Sequence, residues 1–399
     1  MLSNIEIDSV LSDWSFWDKS PREAIARSVL KKPVPITPDL PLVVQGIRRS
    51  GKSTLLSQIM QQKGIPREKA VFINFEDPRI AEFLDFRLLD AIVARTFERL
   101  GDLSECVFFL DEIQEVEGWE RWFHARLERP VPACFLITGS NASLLGGKLG
   151  TVLTGRHRTI EVSPFDLSEY KLINPSGTFD TWILEGGFPR VLVDPEPATL
   201  LRSYFNQIIE RGVRRHVAAR STAPLFRLVK SVYESTGSDL SLRSLAKTID
   251  VATDTIKVWL DACQAAYLVL ECPFFSWSER QRAARPNKYY PIDLALRDAV
   301  IARKGNDLGK RLETVVFHAL RKRYDFVCYW KGKGEVDFVT QNNEGIVPWQ
   351  VSWDAPMERH LKSLQEFAKA FPTAAAPRFI HRSNVELFLE ECSEQTRLT

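Results

Sequence analysis

Residues 46–54 read GIRRSGKST, and the spacing Gly46-x-x-x-x-Gly51-Lys52-Ser53 is that of a loop built to cradle phosphates. Glycines let backbone N–H groups close around anionic oxygens, and a lysine adds a compact positive charge. The pattern carries weight only between a strand and a helix. Here the apolar PLVVQ precedes it, and the segment that follows places Leu55, Leu56, Ile59 and Met60 on one helical face. The expected phosphate site is therefore Gly46, Ile47, Arg48, Arg49, Ser50, Gly51, Lys52, Ser53 and Thr54, with the amides of residues 48–53 and the helix N-terminus facing the anions. Lys52 would bridge the β and γ phosphates and Ser53 would coordinate magnesium. Arg48 and Arg49 read as solvent or phosphate contacts rather than catalysts.

A phosphate loop needs partners, and they follow in order. CVFFLDEIQ puts Asp111 after four apolar residues, at the end of a buried strand, with Glu112 directly behind it. Asp111 is placed to orient a magnesium-bound water, and Glu112 to polarise the attacking one. The next strand, ACFLITGSN, ends in Ser140 and Asn141, candidates for sensing the terminal phosphate. The bland alternative, a buried strand ending in a solvent-facing acidic pair, does not explain this order. Short apolar strands alternating with helical stretches such as LLDAIVARTFERL predict a parallel sheet covered on both faces, a three-layer α/β domain of the P-loop NTPase class.

At 399 residues the chain exceeds one ordinary core, since domains hold roughly 100–200 residues. Its 44% hydrophobic and 26% charged composition is that of a soluble globular protein. No run reaches the ~18 apolar residues of a membrane span, and MLSNIEIDSVLSDW lacks the basic start and apolar run of a secretory signal. A cytoplasmic protein with no membrane partner is expected. Six cysteines at 106, 134, 263, 272, 328 and 392 form no C-x-x-C pair and read as buried, reduced thiols. A net charge of +2 gives no global case for nucleic acid, so local patches must make it.

The expected organisation is a helical N-terminal extension (1–35), the P-loop domain (36–172), a helical and winged-helix domain (173–305) and an α/β domain (306–399). KKPVPITPDLP, the region around PSGTFD, and SERQRAARPNK read as linkers. In the third segment, SLRSLAKTIDVATDTIKVWLDAC reads as two short amphipathic helices, with LVLECPF and KYYPI as flanking strands, a winged-helix order. Lys257 is the only cation of TDTIKVWLDACQAA, which argues against direct base reading. Around it, Arg211, Arg214, Arg215 and Arg220, and in a wing-like loop Arg280, Arg282, Arg285 and Lys288, are candidates for contacting DNA phosphates. A solvated helix face and a protein-binding winged helix explain the same charges.

GIRRSGKSTLL, INFEDPRI, FFLDEIQEVEGWE, LITGSNASLL, LTGRHRTIEVSPFDLSEY and GGFP together resemble prokaryotic AAA-like ATPases whose P-loop domain precedes a C-terminal region catalogued as of unknown function. NKYYPIDLAL, GKRLETVVFHAL and GEVDFV match that region in order, so the resemblance covers nearly the whole chain. It implies ATP as nucleotide and an ATPase regulated by assembly or by a partner, with magnesium the cofactor expected from Ser53 and Asp111. It also places Arg156, in LTGR, where the family keeps an arginine after the sensor strand. That arginine acts on transition-state charge in its own subunit, in a neighbouring copy of the chain, or only caps the domain edge.

The last segment reads helix, three strands, helix, strand, and with Glu313 on the first helix and Asp337 on the second strand it resembles restriction-endonuclease-like nucleases. In such enzymes two or more carboxylates and a lysine surround magnesium. Here Gln350-Val351-Ser352 stands where an active member ends in lysine. Glu313, Asp337 and Gln350 remain a candidate cation site, and Lys333 or Lys362 candidate replacements, but the expectation is a degenerate nuclease that does not cut DNA. An ATP-gated nuclease and a nucleotide-dependent protein scaffold are the alternative functions. DNA, a protein and further copies of the chain are the candidate partners.

Overall fold

The computed structural model describes residues 3–17, 23–142, 156–217, 219, 221–302, 305, 307–342 and 345–394. Five short apolar segments form strands β1 (Leu42–Gln45), β2 (Ala70–Asn74), β3 (Cys106–Asp111), β4 (Ala133–Gly139) and β5 (Arg158–Glu161). They pair in parallel in the order β2-β3-β4-β1-β5. Alternate residues feed opposite faces. Val43, Ile73, Phe108 and Ile137 enter one core with helices Phe86–Leu100 and Trp119–Glu128. Val44, Phe72, Phe109 and Leu136 enter the other with helix Lys52–Gln62. This is the three-layer α/β arrangement expected, buried on both faces because crossover helices cover both. The register sets Asn74 opposite Asp111 and Val44 opposite Thr138, so the carboxyl ends of the strands finish at one level.

The N-terminal helix Asn4–Trp14 is held by a reciprocal Ser3–Glu6 cap and buries Ile7, Val10 and Leu11 in the first of these cores. Outer strand β2 would otherwise offer unpaired backbone groups. The Ser15 hydroxyl covers them at Phe72, accepting from its N–H at 3.0 Å and donating to its carbonyl at 3.2 Å.

The chain divides into two compact units, one ending at Ser163 and one beginning at Pro164. In the second, helix Leu242–Ile249 ends on Asp250 in the left-handed conformation and leads into helix Thr253–Ala265. An antiparallel hairpin follows, β6 (Val269–Cys272) with β7 (Lys288–Pro291). Two segments read as linkers are helical. Thr178, in PSGTFD, caps helix Phe179–Glu185, and Ser278 caps helix Glu279–Ala284 within SERQRAARPNK. Helix Leu308–Arg323 then precedes β8 (Val327–Lys331), β9 (Glu335–Asn342) and β10 (Gly345–Val351), which pair antiparallel. Helix Glu358–Ala370 leads to β11 (Arg378–Ile380), parallel to β10, and a helix Val385–Glu394 that the sequence reading lacks closes the unit. Among the described residues no helix is long and apolar enough to cross a membrane.

The GGFP and YYPIDLAL motifs meet at one side chain. Buried Asp293 caps helix Leu294–Val300, accepting from Leu296 N–H at 2.8 Å, and accepts from Gly187 N–H at 2.8 Å. Gly187 admits no side chain, as a Cβ would lie 2.2 Å from the Phe165 carbonyl oxygen. Burial raises the Asp293 carboxyl from 3.8 to about 6 despite these donors. Asp293→Ala leaves two buried N–H groups unmet and is expected to lower unfolding free energy in urea by about 1–3 kcal/mol. A raised acid pKa means the folded state binds the proton more tightly. Wild-type stability should therefore fall as pH rises from 3.8 to about 6, relative to Asp293→Asn, which cannot ionise. Equal pH slopes in the two proteins would refute the assignment.

Candidate functional site: the phosphate loop and the ends of β3 and β4

The chain leaves β1 through Gly46, whose φ of +148° and close packing admit no side chain. A Cβ there would lie 2.1 Å from the Val162 carbonyl oxygen. Arg49 and Gly51 take positive φ values of 73° and 96°, turning the loop into helix Lys52–Gln62. The helix thus begins at Lys52, its N-terminal N–H groups at the mouth of the loop.

Lys52 is buried, and its Nζ donates to the carbonyls of Gly46 at 3.1 Å and Ile47 at 3.2 Å. Glu112 Oε1 lies 3.9 Å from it. Burial pulls the Lys52 ammonium below its ordinary value, against the pull of Glu112 and Asp111. Ser53 Oγ donates to Asp111 Oδ2 at 2.7 Å, Asn74 Nδ2 to the same oxygen at 2.8 Å, and Thr138 Oγ1 to Asp111 Oδ1 at 2.6 Å. Burial, then the adjacent Glu112 charge, pushes the Asp111 carboxyl up, while these donors and Lys52 oppose it.

Glu112 sits in the left-handed region at φ 57°, a conformation that costs a non-glycine residue on the order of 1 kcal/mol and clusters at functional sites. Its N–H donates to Thr138 Oγ1 at 2.9 Å. Its Oε2 accepts from Ser140 Oγ at 2.8 Å and from the Gln114 side-chain amide. Burial alone would raise this carboxyl, but Lys52 and the two donors prevail and hold it below its ordinary value, as an anion at neutral pH. The arrangement is a buried cation, a hydroxyl–carboxylate pair and a second carboxylate kept ionised, all at the end of one helix and two strands.

The structure therefore brings together Lys52, Ser53, Asp111, Glu112 and Ser140. Asn141 is buried beside them in sequence. Arg48 pairs with Glu76 at 2.5 Å. Arg156 is instead half-exposed and donates to Glu128 Oε1 at 2.9 Å. Sequence reasoning missed Asn74, Glu76, Gln114 and Thr138. The one legible signal was a polar residue ending each apolar strand, AVFIN and ACFLIT.

A model of the AAA domain matches residues 39–171, and two domains of unknown function, DUF8612 and DUF4143, match 176–307 and 308–398. An uncharacterized protein of Haemophilus influenzae is 30% identical over 338 residues, covering 80% of this chain and 84% of that protein. The chain belongs to this AAA-domain family. An uncharacterized protein of Methanocaldococcus jannaschii is 26% identical over 367 residues, covering 84% of this chain and 80% of its own length. Among solved structures, the Aeropyrum pernix ORC1 protein in complex with DNA aligns with 74% of this chain and 91% of its own, at 12% identity and a TM-score of 0.25. AMPPCP-bound DnaA from Aquifex aeolicus aligns with 65% and 84%, at 11% identity and a TM-score of 0.26. At such TM-scores neither likeness bears on function.

The remaining candidates of this AAA-domain protein lie in the second unit. Arg211, Arg214 and Arg215 are exposed at the end of a helical run in which Arg214 pairs with Glu210 at 3.1 Å. Arg220 lies outside the described residues. Arg280 and Arg285 are exposed, Arg285 lying 5.2 Å over the Phe274 ring, and Arg282 pairs with Glu279. Lys288 is a correction: it is 1% exposed and cannot meet nucleic acid as a surface cation. All four residues of β7 are buried, and Lys288 lies beside Glu313. The proposed replacements Lys333 and Lys362 stay at the surface, Lys362 on Glu358 at 2.7 Å.

Proposed function

We propose that the chain binds ATP with magnesium and hydrolyses it, and that its second unit couples this cycle to DNA. The observation that carries the reading is the convergence of Lys52, Ser53, Asp111 and Glu112 at one loop mouth. The residues fit magnesium: the Ser53 hydroxyl and Asp111 carboxylate, joined at 2.7 Å, are hard oxygen donors. Bound there, the ion would neutralise charge on the β and γ phosphates. The protein's own part is separate. Loop amides and Lys52 hold the phosphates, and ionised Glu112 accepts a proton from the attacking water while Ser140 and Gln114 orient its carboxylate. Magnesium-dependent phosphate release by the purified chain, competed by a non-hydrolysable ATP analogue, is the direct test; no release and no nucleotide binding would refute it.

Arg156 reads as an arginine that leaves Glu128 to act on transition-state charge, in its own site or a neighbour's. In the second case, mixing Arg156→Ala with Lys52→Ala chains restores turnover, and specific activity rises with protein concentration. No complementation leaves a monomeric switch.

Engagement of DNA is supported by the helix pair and hairpin, which follow a winged-helix order, and by the exposed arginines at 211, 214, 215, 280 and 285. Duplex affinity, read by fluorescence anisotropy, should fall steeply with salt and fall alike for unrelated sequences on charge reversal of Arg280, Arg282 and Arg285. One observation favours a protein instead. On helix Thr253–Ala265 the only cation, Lys257, pairs with Asp254 at 3.4 Å, while Val258 is exposed. Absent or salt-independent DNA binding would decide for that second reading.

A further inference from the structure

The module that carries Glu313 and Asp337 holds a charge centre, built round the buried Lys288 and half-buried carboxylates, to which two separate stretches of chain contribute. Lys288 heads β7, and its ammonium pairs with Glu335 and lies 3.6 Å from Glu313 Oε1. Tyr290, two residues on and so on the same side of the strand, donates its hydroxyl to that Glu313 oxygen at 2.6 Å. Asp337, two residues after Glu335 along β9, accepts from Val351 N–H at 2.7 Å and from the Gln350 side-chain amide. Gln350 is 4% exposed, and its Oε1 has no hydrogen-bond partner.

A restriction-endonuclease-like module would hold a divalent cation at such a centre. The residues do not fit one as they stand. Among the described residues no three His, Cys, Asp or Glu side chains are grouped to ligate a metal. The place between Glu313 and Glu335 is taken by an ammonium.

We propose that the Lys288 ammonium is the resident cation of this centre, standing where a hydrolytic relative would carry a divalent metal, so that the module is locked to the β6–β7 hairpin and does not hydrolyse phosphodiesters. Lys288 is buried, and a lone buried charge is strongly destabilising. Here one ammonium meets Glu313 and Glu335, with Asp337 two residues along β9 from Glu335. Burial raises the carboxyls of Glu313 and Asp337, and the Lys288 charge opposes that rise in both. Burial alone would lower Lys288, but the three carboxylates hold its ammonium above the ordinary lysine value. The centre is also composite. Lys288 and Tyr290 come from the stretch matching DUF8612, and Glu313, Glu335, Asp337 and Gln350 from that matching DUF4143. That is a physical reason for the two stretches to form a single compact unit.

The test is Mn2+ titration of the full chain without nucleotide, followed by electron paramagnetic resonance, for wild type, Asp337→Asn, Lys288→Met and the double variant. Wild type and Asp337→Asn should bind Mn2+ alike. Lys288→Met vacates the ammonium position between Glu313 and Glu335 and should gain one Mn2+ held about ten-fold or more tighter than wild type holds any there, lost again in the double variant. Wild type should leave duplex DNA intact in Mg2+ or Mn2+. Wild-type Mn2+ binding or DNA cleavage that Asp337→Asn abolishes would overturn the proposal, as would a folded Lys288→Met with no added site. Should Lys288→Met unfold, a Tm restored by Mn2+ supports it; if Mn2+ restores nothing, the wild-type comparison with Asp337→Asn decides.

Discussion

Lys52→Ala is expected to lower ATP turnover by about 10²–10³-fold or more, the scale on which removing one preorganised charge-stabilising group acts. The Lys52 ammonium is buried and already tethered to the carbonyls of Gly46 and Ile47, so it is held in place before nucleotide arrives. That preorganisation means no reorganisation is needed when phosphate charge develops. The substitution also removes the counter-charge 3.9 Å from Glu112, which should raise the glutamate's pKa toward that of a buried acid. Binding of a fluorescent ATP analogue and the unfolding midpoint should be measured together. A folded variant that has lost binding or turnover supports the site, and unchanged ATPase activity in it would sink the assignment.

Glu112→Gln should bind ATP about as well as wild type yet hydrolyse it about 10²–10⁴-fold more slowly, the usual contribution of a positioned general base. The amide keeps the shape and can still accept from Ser140, but it carries no charge to draw a proton from water. The Glu112 carboxylate is ionised at neutral pH by virtue of Lys52, Gln114 and Ser140, so Ser140→Ala should slow hydrolysis less, and in the same step. Normal turnover by Glu112→Gln would mean that another residue positions the nucleophile. A variant that neither binds nor hydrolyses would show that Glu112 matters to the loop's structure instead.

What was legible in the sequence is what lies close along the chain. GIRRSGKST carries its loop and helix start within nine consecutive residues, since Gly46 and Gly51 are where the backbone needs positive φ. Asp111 and Glu112 were legible because four apolar residues run directly into them, and the buried strand ends on the first of the two. The α-β-β-β-α-β order of the last segment was legible for the same reason, through local periodicity.

Only the tertiary structure decided which distant side chains share a site. Asn74 and Thr138 reach Asp111 because the parallel register sets three strand ends at one level, and register is a property of pairing that no single strand encodes. The family resemblance left Arg156 to act in its own site, in a neighbour's or as a cap of the domain edge, and only the folded chain shows its guanidinium on Glu128. Lys288 was the sharpest divergence. Its neighbours ERQRAARPN read as a basic, solvated run, but β7 pairs antiparallel with β6 and is buried at all four positions, so the lysine's charge is satisfied by Glu313 and Glu335 rather than by solvent.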